Sequence, residues 1–528
     1  MLTPLSVTPS PDWHLGQVGS VPVTLATSNE AAQRGQVESS TVQSYSARWR
    51  RGDPRAILHA VAAMKLLLIT AEDPLTRAAR SRELIRFPQL TMPLLAALTP
   101  APWTVEHVDE ITREVDARAS CDLVGITAAT PAAPHAYALA AAFRARGVRV
   151  AMGGPHATLL PQEVAAHADV VVTGEAEPVW ARVLADEERG ARYPPGVHGL
   201  ADVPGGTVEQ LPSGARVYAC TRAADLAGLP HARRDLVHHG GWNRWWATRG
   251  AIIATRGCPH RCAYCTIPWL YPQAQRMRRR PVGEVAAEIA AFPDKGVVFW
   301  DDNIGASPAY ARALFAAIAP LQRWWTSQTT MASLTPELLA AAAASGCKAL
   351  FLGLETVNEA SLAGADKSHN QVARYREVVQ RCHDHGIAVQ AGLMFGFDED
   401  DRDVFARTVD AMGDIGLDNA TISLMVPYPG TPAYDRLARD GRIIDRDWSH
   451  YNGKTHVVHR PRRMTPDQLL AGYEWAKAAF YAPSHIARRL WQSRTGLWWN
   501  LPRNVGYWRG LTSEVRARAA MHAASGPT

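Results

Sequence analysis

The sequence predicts an α/β protein with an N-terminal doubly wound (Rossmann-like) domain, a partial barrel of six strand-and-helix units and a small helical C-terminal region. Two stretches of the chain predict this class, because in each of them short apolar strands alternate with amphipathic helical segments. The length of 528 residues also suits several domains, at roughly 100 to 200 residues each. A composition of 47% hydrophobic and 20% charged residues is that of a folded globular protein, and it excludes collagen, coiled coil and wholesale disorder.

Charge and targeting signals restrict the location and the partners. The net charge of +6 is spread over the whole chain, which is too dilute to predict a nucleic-acid partner. The first 20 residues lack a basic segment followed by an apolar one, and no apolar run reaches the roughly 18 residues that span a bilayer. We therefore expect a cytoplasmic protein.

The first predicted element is a tail, residues 1–63. This segment is rich in Ser, Thr, Gln, Pro and Gly and shows no period of 2 or 3.6, so we expect it to be mostly disordered. Met64 directly precedes the first apolar strand, which makes it an alternative to Met1 as the start of translation.

The second predicted element is the doubly wound domain, residues 64–200. Its expected strands are residues 65–70, 104–109, 122–127, 148–154 and 169–175, with an amphipathic helix at 135–146. Alternating strands and helices predict a parallel sheet that binds its ligand at the carboxyl ends of the strands. Small polar or glycine-rich loops follow three of these strands, so we expect a roomy crevice there.

After a connector at residues 201–245, the barrel is predicted at residues 246–460. Its expected strands are residues 250–256, 296–302, 323–330, 348–355, 387–395 and 420–427. Residues 461–528 are predicted to be helical, basic and aromatic. From residue 483 onward this region contains seven Arg and one acidic residue, interleaved with Trp491, Trp498, Trp499 and Trp508.

The strongest motif is CxxxCxxC at the end of the first barrel strand, formed by Cys258, Cys262 and Cys265. The other four of the seven cysteines are scattered, which does not fit a secreted disulfide framework and indicates a reducing compartment. Three thiolates at this spacing can ligate three irons of a [4Fe-4S] cluster and leave the fourth iron open. The alternatives are structural zinc, which closes its shell with four Cys or His ligands, and a purely structural cluster.

With Tyr264 just before the third cysteine, this loop resembles that of the radical S-adenosylmethionine (SAM) superfamily. The resemblance implies that the open iron chelates SAM and that the reduced cluster cleaves it to a 5'-deoxyadenosyl radical. Further family-like motifs end the later strands, at residues 299–303, 351–355, 392–400 and 425–434. Each motif alone has a structural alternative, as a helix cap, a solvated strand end or a turn. The SAM-binding residues implied by the resemblance are Tyr264, Asp301, Asp302, Asn303, Gln328, Glu355 and Phe395.

A doubly wound domain ahead of such a barrel resembles the cobalamin-binding subfamily, in which the corrin lies between the two domains. Residues 153–161 and 171–177 resemble its cofactor loops. The alternatives are a generic nucleotide-type crevice or a domain without ligand. The implied cobalamin-binding residues are Thr127, Thr130, Gly153, Gly154, Pro155, His156, Gly174 and Glu175.

One departure from the subfamily pattern concerns the ligand below cobalt. Relatives that supply a protein histidine carry DxHxxG after the first strand, and residues 71–88 contain no histidine. The resemblance then implies a cobalt without a protein ligand below it, which is compatible with methylcobalamin as a methyl donor. His156 suits the nucleotide tail of the cofactor better.

The resemblance implies a cobalamin-dependent radical SAM methyltransferase that acts on an unactivated carbon. The alternatives are a radical cyclase or rearrangement enzyme, and a non-catalytic cobalamin or iron-sulfur sensor. The expected partners are a small-molecule or lipid substrate and an electron donor such as flavodoxin or ferredoxin. The C-terminal Trp and Arg residues predict either packing of helices over the barrel mouth or peripheral membrane contact. No substrate acid or base is predicted, since packing explains the candidates His383, His385, Tyr428 and Tyr434 equally well.

Overall fold

The computed structural model describes residues 64–74, 76–77, 88–191, 206–238, 250–271 and 277–524, with the side chains of 512–524 left out. The predicted tail, residues 1–63, lies outside the described residues. None of the described helices has the length and apolar character needed to cross a membrane.

The first sheet contains seven strands in the order β2-β1-β3-β4-β5-β7-β6. All neighbours pair in parallel except β6 and β7, which form an antiparallel hairpin at one edge. The five predicted strands are present, whereas the hairpin lies in the segment predicted as a connector. Val208 and Tyr218 of the hairpin are fully buried, so these two strands extend the core of the domain. The strands are β1 Lys65–Thr70, β2 Thr104–Asp109, β3 Leu123–Thr127, β4 Arg149–Gly153, β5 Val170–Thr173, β6 Gly206–Gln210 and β7 Arg216–Cys220.

Helices cover both faces of this sheet, as the doubly wound prediction requires. One hydrophobic core includes Phe143 and the other includes Trp180, and each packs against a different side of the strands. Parallel strands covered on both faces need apolar residues throughout, which explains buried runs such as Leu66 to Ile69. The helices are α1 Thr91–Leu98, α2 Ala133–Arg144, α3 Pro155–Leu159, α4 Pro161–Val164 and α5 Glu177–Glu188.

The second sheet is a partial barrel of six parallel strands whose spatial order follows the chain. All six predicted units are present. A short antiparallel pair, β9 Thr255–Arg256 and β10 Arg278–Arg279, flanks the first strand. The six strands are β8 Ala251–Ile252, β11 Gly296–Phe299, β12 Trp324–Thr329, β13 Cys347–Glu355, β14 Ala388–Phe395 and β15 Asn419–Leu424.

Helices pack on the outer face of the barrel and bury its main core. Trp325 is 1% exposed and lies between Phe299 and Phe315, at ring distances of 5.5 and 4.8 Å. The side chains that alternate with it along β12 therefore face the barrel interior. The helices are α6 Ile267–Leu270, α7 Val282–Ala290, α8 Pro308–Ile318, α9 Pro336–Ala344, α10 Glu359–Gly364, α11 Tyr375–Asp384, α12 Val404–Ile415 and α13 Pro432–Arg439.

The C-terminal region consists of α14 Pro466–Phe480, α15 Pro483–Gln492 and α16 Leu497–Ala524. Trp499 packs with Ala349 and Ala388 near the beginnings of β13 and β14, and its ring lies 5.7 Å from that of Trp324. The region therefore covers the amino ends of the strands. We expected its helices over the barrel mouth, at the carboxyl ends of the strands. Asp418 anchors it by accepting hydrogen bonds from Thr495 and Asn500 at 2.8 and 2.7 Å.

Candidate active site

The three cysteines lie on a tight loop between β9 and α6. The Cys265 amide donates to the Cys262 carbonyl at 3.0 Å, which closes a turn. Ala263 is bonded to two neighbouring segments, since its amide donates to the Ala365 carbonyl at 3.0 Å and its carbonyl accepts from the Ala433 amide at 2.9 Å. The loop is therefore held from both sides by backbone groups that follow later strands.

The donor set of this loop fits an iron-sulfur cluster. All three thiols are free of disulfides. Burial raises the pKa of Cys258 and Cys262 and brings that of Cys265 to about 12. A bound metal group would replace those protons, because thiolates are its ligands. In the described part of the chain, no three His, Cys, Asp or Glu side chains converge on a position for a single metal ion.

Two carboxylates behind β11 hold the backbone that leads into the loop. Asp301 is fully buried and accepts from the Ala254 amide at 3.1 Å and from the Thr255 hydroxyl at 2.6 Å. Asp302 accepts from the Gly257 amide at 2.7 Å. Burial raises the pKa of Asp301 to about 7. These contacts give both residues a supporting role, and their predicted contact with SAM stays a prediction.

Asn303 reaches the cysteine loop directly. Its side chain is fully buried, and its amide nitrogen lies 3.9 Å from Cys258 Sγ and 3.3 Å from Thr330 Oγ1. Its amide oxygen accepts from Thr329 Oγ1 at 2.9 Å. Asn303 therefore connects the first cysteine to the end of β12, where Gln328 is half-buried on the interior face.

Glu355, at the end of β13, has an unusual backbone conformation. Its φ is +68°, which non-glycine residues adopt rarely and at a cost of about 1 to 3 kcal/mol. The pairing of β13 with β14 shifts register between Gly353 and Glu355. Lys367 donates from Nζ to Glu355 Oε1 at 2.6 Å and to the Tyr264 hydroxyl at 3.2 Å. Tyr264 and Glu355, both predicted to bind SAM, are thus joined through a lysine that the sequence analysis did not single out.

Phe395 does not face the interior of the barrel. Its side chain is 1% exposed and contacts Phe405 of α12 at a ring distance of 4.9 Å, within the core outside the barrel. A side-chain contact with SAM, as the resemblance implied, is not supported by this position. The register of the strand explains the difference, because successive residues of a strand point to opposite faces.

A cavity of about 220 Å³ lies at the carboxyl ends of the strands of the first sheet. Gly154 has a φ of +89°, and a Cβ there would clash with Thr127 Oγ1. Glycine is therefore required at this wall of the cavity. Six predicted cobalamin residues line the cavity, namely Thr127, Gly153, Gly154, Pro155, Gly174 and Glu175.

Residues of both domains line this cavity. Leu68, Met92 and Trp180 give it an apolar inner end, which fits the flat base of a nucleotide tail. Ile253, Arg256, Leu270 and Tyr271 of the barrel domain form its other wall. A ligand in this cavity would therefore contact both domains.

Thr130 and His156 do not line the cavity. His156 is 1% exposed, and its Nε2 lies 2.8 Å from the Tyr137 hydroxyl. Burial lowers its pKa, although the nearby Glu163 carboxylate opposes this effect. Trp448, which follows the barrel, donates to Glu163 at 2.8 Å. The predicted cobalamin contact of His156 is thus replaced by a network that links the two domains.

A buried ion-pair network joins the cavity to the cysteine loop. Arg256, two residues before Cys258, contacts Glu175 and Glu177 at 2.5 Å each. Arg278 contacts Glu175 at 2.7 Å. The sequence analysis missed Arg256, Glu177 and Arg278, because lone charged residues outside a motif carry no pattern.

His383 and His385 were candidates for substrate chemistry. His383 contacts Asp418 at 2.7 Å, and His385 bonds the Arg381 carbonyl at 2.8 Å. Asp418 binds the C-terminal region at the amino ends of the strands, so these histidines lie away from the cysteine loop. Tyr428 bonds the Tyr451 carbonyl at 3.0 Å, which supports the packing explanation for it.

Comparisons with known proteins agree with this geometry. The radical SAM superfamily model matches residues 252–412, and the B12 binding domain model matches residues 97–184. The chain therefore contains a B12 binding domain followed by a radical SAM domain. It is therefore a radical SAM enzyme, and its cofactors are a [4Fe-4S] cluster, SAM and cobalamin.

Several relatives of this radical SAM enzyme match over most of the chain. Bacteriochlorophyllide d C-12(1)-methyltransferase of Chlorobaculum tepidum is 28% identical, over 76% of this chain and 84% of the relative. Bacteriochlorophyllide d C-8(2)-methyltransferase of the same organism is 24% identical, over 82% of this chain and 94% of the relative. An anaerobic magnesium-protoporphyrin IX monomethyl ester cyclase of Cereibacter sphaeroides is 24% identical, over 70% of this chain and 61% of the relative.

A solved structure shows the same fold. The radical SAM methyltransferase TsrM of Kitasatospora setae, with cobalamin and a [4Fe-4S] cluster bound, superposes with a TM-score of 0.57. The two proteins are 18% identical, and the alignment covers 80% of this chain and 86% of TsrM. The superposition supports the fold, in which a doubly wound domain is followed by a partial barrel.

Proposed function

We propose that this enzyme methylates an unactivated carbon of its substrate by way of a 5'-deoxyadenosyl radical and methylcobalamin. One observation carries the proposal, namely that Arg256, the last residue of β9 and two residues before Cys258, also lines the wall of the cobalamin cavity. The residues that would hold the two cofactors thus lie next to each other. When bound, the cluster with SAM supplies the radical that removes a hydrogen atom, and cobalamin supplies the methyl group.

The residues of the chain position these groups and exclude water. The three cysteine thiolates hold the cluster, while Asp301, Asp302 and Asn303 fix the backbone and the first cysteine of the loop. Glycines at the cavity wall let the backbone approach a large cofactor closely. The expected rate advantage comes from holding the reacting atoms in line in a site closed to solvent.

The residues around the cavity are compatible with methyl transfer from cobalamin. Residues 71–88 contain no histidine, and no histidine lines the cavity among the described residues. We therefore propose that no histidine among these residues would coordinate the bound cofactor. Visible spectra of the bound cofactor test this point, because nitrogen coordination and its absence give different absorption maxima.

The central test is an assay with SAM that carries a labelled methyl group, under anaerobic conditions. The substrates tested first are tetrapyrroles, since two relatives are methyltransferases for bacteriochlorophyllide d. The proposal predicts labelled product together with 5'-deoxyadenosine and S-adenosylhomocysteine. Product and 5'-deoxyadenosine without label in the product would instead show the cyclase or rearrangement alternative. A Cys258→Ala/Cys262→Ala/Cys265→Ala variant provides the background.

An electron donor is a further part of the proposal, because the cluster must be reduced before it cleaves SAM. We propose a flavodoxin or a ferredoxin, which are small one-electron carriers. Each is added in place of dithionite to the labelled-methyl assay. This choice would be contradicted if the enzyme were active with dithionite but showed no turnover with either carrier.

We also propose that the C-terminal region contacts an anionic membrane surface. Trp491 is 91% exposed and Trp508 is 39% exposed, and Leu497, Trp498 and Leu501 are also exposed. Residues 482–513 include five Arg and neither Asp nor Glu, so the segment complements anionic lipid headgroups. The contact would lie at the amino ends of the barrel strands and so would anchor the enzyme rather than deliver a lipid to the cysteine loop.

Flotation with anionic and with zwitterionic vesicles tests the membrane proposal. Removing residues 483–528 would also remove the packing of Trp499, so point variants are the better probe. Trp491→Ser/Trp508→Ser should lose binding to anionic vesicles. Trp475→Ser is the matched control, since Trp475 is 52% exposed on α14. Equal flotation of all variants, or absence of flotation of the native enzyme, would contradict the proposal.

A further inference from the structure

Lys367 is a buried cation beside the cysteine loop. Its side chain is 7% exposed, although lysine is among the residues that proteins bury least often. It follows α10 in the segment whose Ala365 carbonyl accepts from the Ala263 amide of the cysteine loop. The backbone that carries Lys367 is thus bonded directly to the loop that carries the cluster ligands.

The ammonium group of Lys367 reaches the interior of the barrel. A Cβ added to Gly353 would lie 2.9 Å from Nζ, so the ammonium lies over this glycine. Gly353 is half-buried, as are Phe351 and Glu355 on the same face of β13. Glycine at this position leaves the space that the long lysine side chain occupies.

From this position, Lys367 fixes two residues at once. It donates to Glu355 at 2.6 Å and to the Tyr264 hydroxyl at 3.2 Å. Glu355 has a left-handed backbone and therefore needs surrounding contacts to stay in that conformation. Tyr264 lies between the second and the third cysteine. The lysine connects the strained strand end to the loop that binds the cluster.

The charge of Lys367 also acts on the cysteines. The ammonium lies 3.2 Å from the hydroxyl of Tyr264, the residue just before Cys265, and the backbone that carries it is bonded to Ala263, the residue just after Cys262. A cluster held by three thiolates gains one more negative charge when it is reduced. A buried cation stabilises that extra charge strongly, because the interior screens charges less than water does.

We propose that Lys367 is a positioning residue for SAM and a counter-charge for the reduced cluster. It holds Glu355 and Tyr264 at the SAM site and makes the cluster easier to reduce. This inference rests on the cluster and SAM site of the proposed function, but it does not depend on methyl transfer. A residue that only filled space would leave the reduction potential unchanged.

The test compares Lys367→Met, Lys367→Arg and Glu355→Gln in the full chain with a reconstituted cluster. Lys477→Met is the matched control. Lys477 is a second buried lysine, 9% exposed and 3.2 Å from the Tyr473 hydroxyl, and it lies on α14 outside the barrel. The measurements are iron and sulfide content, the urea unfolding midpoint, a redox titration followed by EPR, and SAM affinity from the change in the EPR signal.

We expect Lys367→Met to shift the potential of the cluster to more negative values and to weaken SAM binding about tenfold, the effect of losing one charge-assisted hydrogen bond. Lys367→Arg should restore much of the potential because it keeps the charge. Glu355→Gln should weaken SAM binding while the Lys367 charge remains. Lys477→Met should leave both quantities unchanged.

Several results would overturn the inference. One is a folded Lys367→Met protein with a full cluster and unchanged potential and SAM affinity. Another is an equal shift in Lys477→Met, which would indicate a general effect of losing a buried charge. If folded Lys367→Met loses the cluster, recovery of the cluster in Lys367→Arg supports the inference and failure to recover contradicts it. Absence of any iron-sulfur cluster in the native enzyme would instead overturn the proposed function as well.

Discussion

Arg256 and Glu175 form a buried ion pair, with Nη1 2.5 Å from Oε1, between the cysteine loop and the cavity of the first domain. The same guanidinium holds Glu177 through its second nitrogen. Burial opposes the negative charge of Glu177, but Arg256 keeps the pKa of this carboxyl group below its usual value. The residue that leads into the cysteine loop thus also fixes the wall of the cavity proposed for cobalamin.

Replacing Arg256 by Met should destabilise the protein by about 3 to 5 kcal/mol, because it removes the ion-pair partner of the largely buried Glu177 and leaves Glu175 with Arg278 alone. We also expect lower contents of both corrin and iron. Urea unfolding and cofactor analysis under anaerobic conditions measure these effects. Arg407→Met is the control, since its ion pair with Asp401 is exposed and should contribute only about 0 to 1 kcal/mol. Loss of cluster with full retention of corrin would contradict the coupling.

Gly154→Ala should block cobalamin binding and leave the cluster in place. The added methyl group would clash with Thr127 Oγ1 at the cavity wall. Gly147→Ala separates this clash from backbone strain. Gly147 also has a positive φ, of +78°, but a methyl group added there would have no described heavy atom within 4 Å. Corrin absorbance per protein after reconstitution should fall at least about tenfold in the first variant only. Equal corrin binding by both variants would contradict the assignment of the cavity.

Trp499→Ala should cost about 3 to 5 kcal/mol of unfolding free energy, because Trp499 is 4% exposed and closes the barrel beside Ala349 and Ala388. Trp491→Ala should change the unfolding free energy by less than about 0.5 kcal/mol, since that side chain is 91% exposed. Urea midpoints of the two variants provide the comparison. Similar losses in both would mean that the exposed tryptophan has a partner in solution.

Part of the acid sensitivity should come from His459. Burial lowers its pKa from 6.5 to about 4, and its Nε2 donates to the Gly396 carbonyl at 3.0 Å. The folded state therefore binds this proton less readily than the unfolded state does. The contribution of His459 to the free energy of unfolding is fully present above pH 6.5. It is lost as the pH falls towards 4, at up to about 1.4 kcal/mol per pH unit.

Urea midpoints between pH 4.5 and 7.5 test this prediction. His459→Gln should have a smaller slope of unfolding free energy against pH than the native protein. His485→Gln, at an exposed residue of α15, should keep the native slope. An unchanged slope in His459→Gln would show that other groups control the acid sensitivity.

The sequence predicted the buried parallel strands well, because strands covered on both faces must be apolar along their whole length. The edge hairpin β6 and β7 was missed, since its outer strand contains Thr207, Glu209 and Gln210. Polar residues at a sheet edge resemble those of a loop. The predicted connector at residues 201–245 is therefore partly a piece of the first sheet.

The cysteine loop could be predicted because its spacing is specific. The direction of the side chains could not be predicted. Phe395 and His156 lie in the predicted segments, but their side chains point into cores. The roles of Lys367 and Arg256 could not be predicted for another reason. A single charged residue becomes informative only when folding brings its partners together from distant parts of the chain.

The position of Trp499 at the amino ends of the barrel strands has a consequence for synthesis. All six barrel strands leave the ribosome before the helix that covers their amino ends. Until that helix arrives, the apolar side chains at the floor of the barrel have nothing to cover them, and a nascent chain in this state is open to chaperones and to aggregation. A truncated translation product would therefore retain every cofactor ligand described above and still be a substrate for proteolysis.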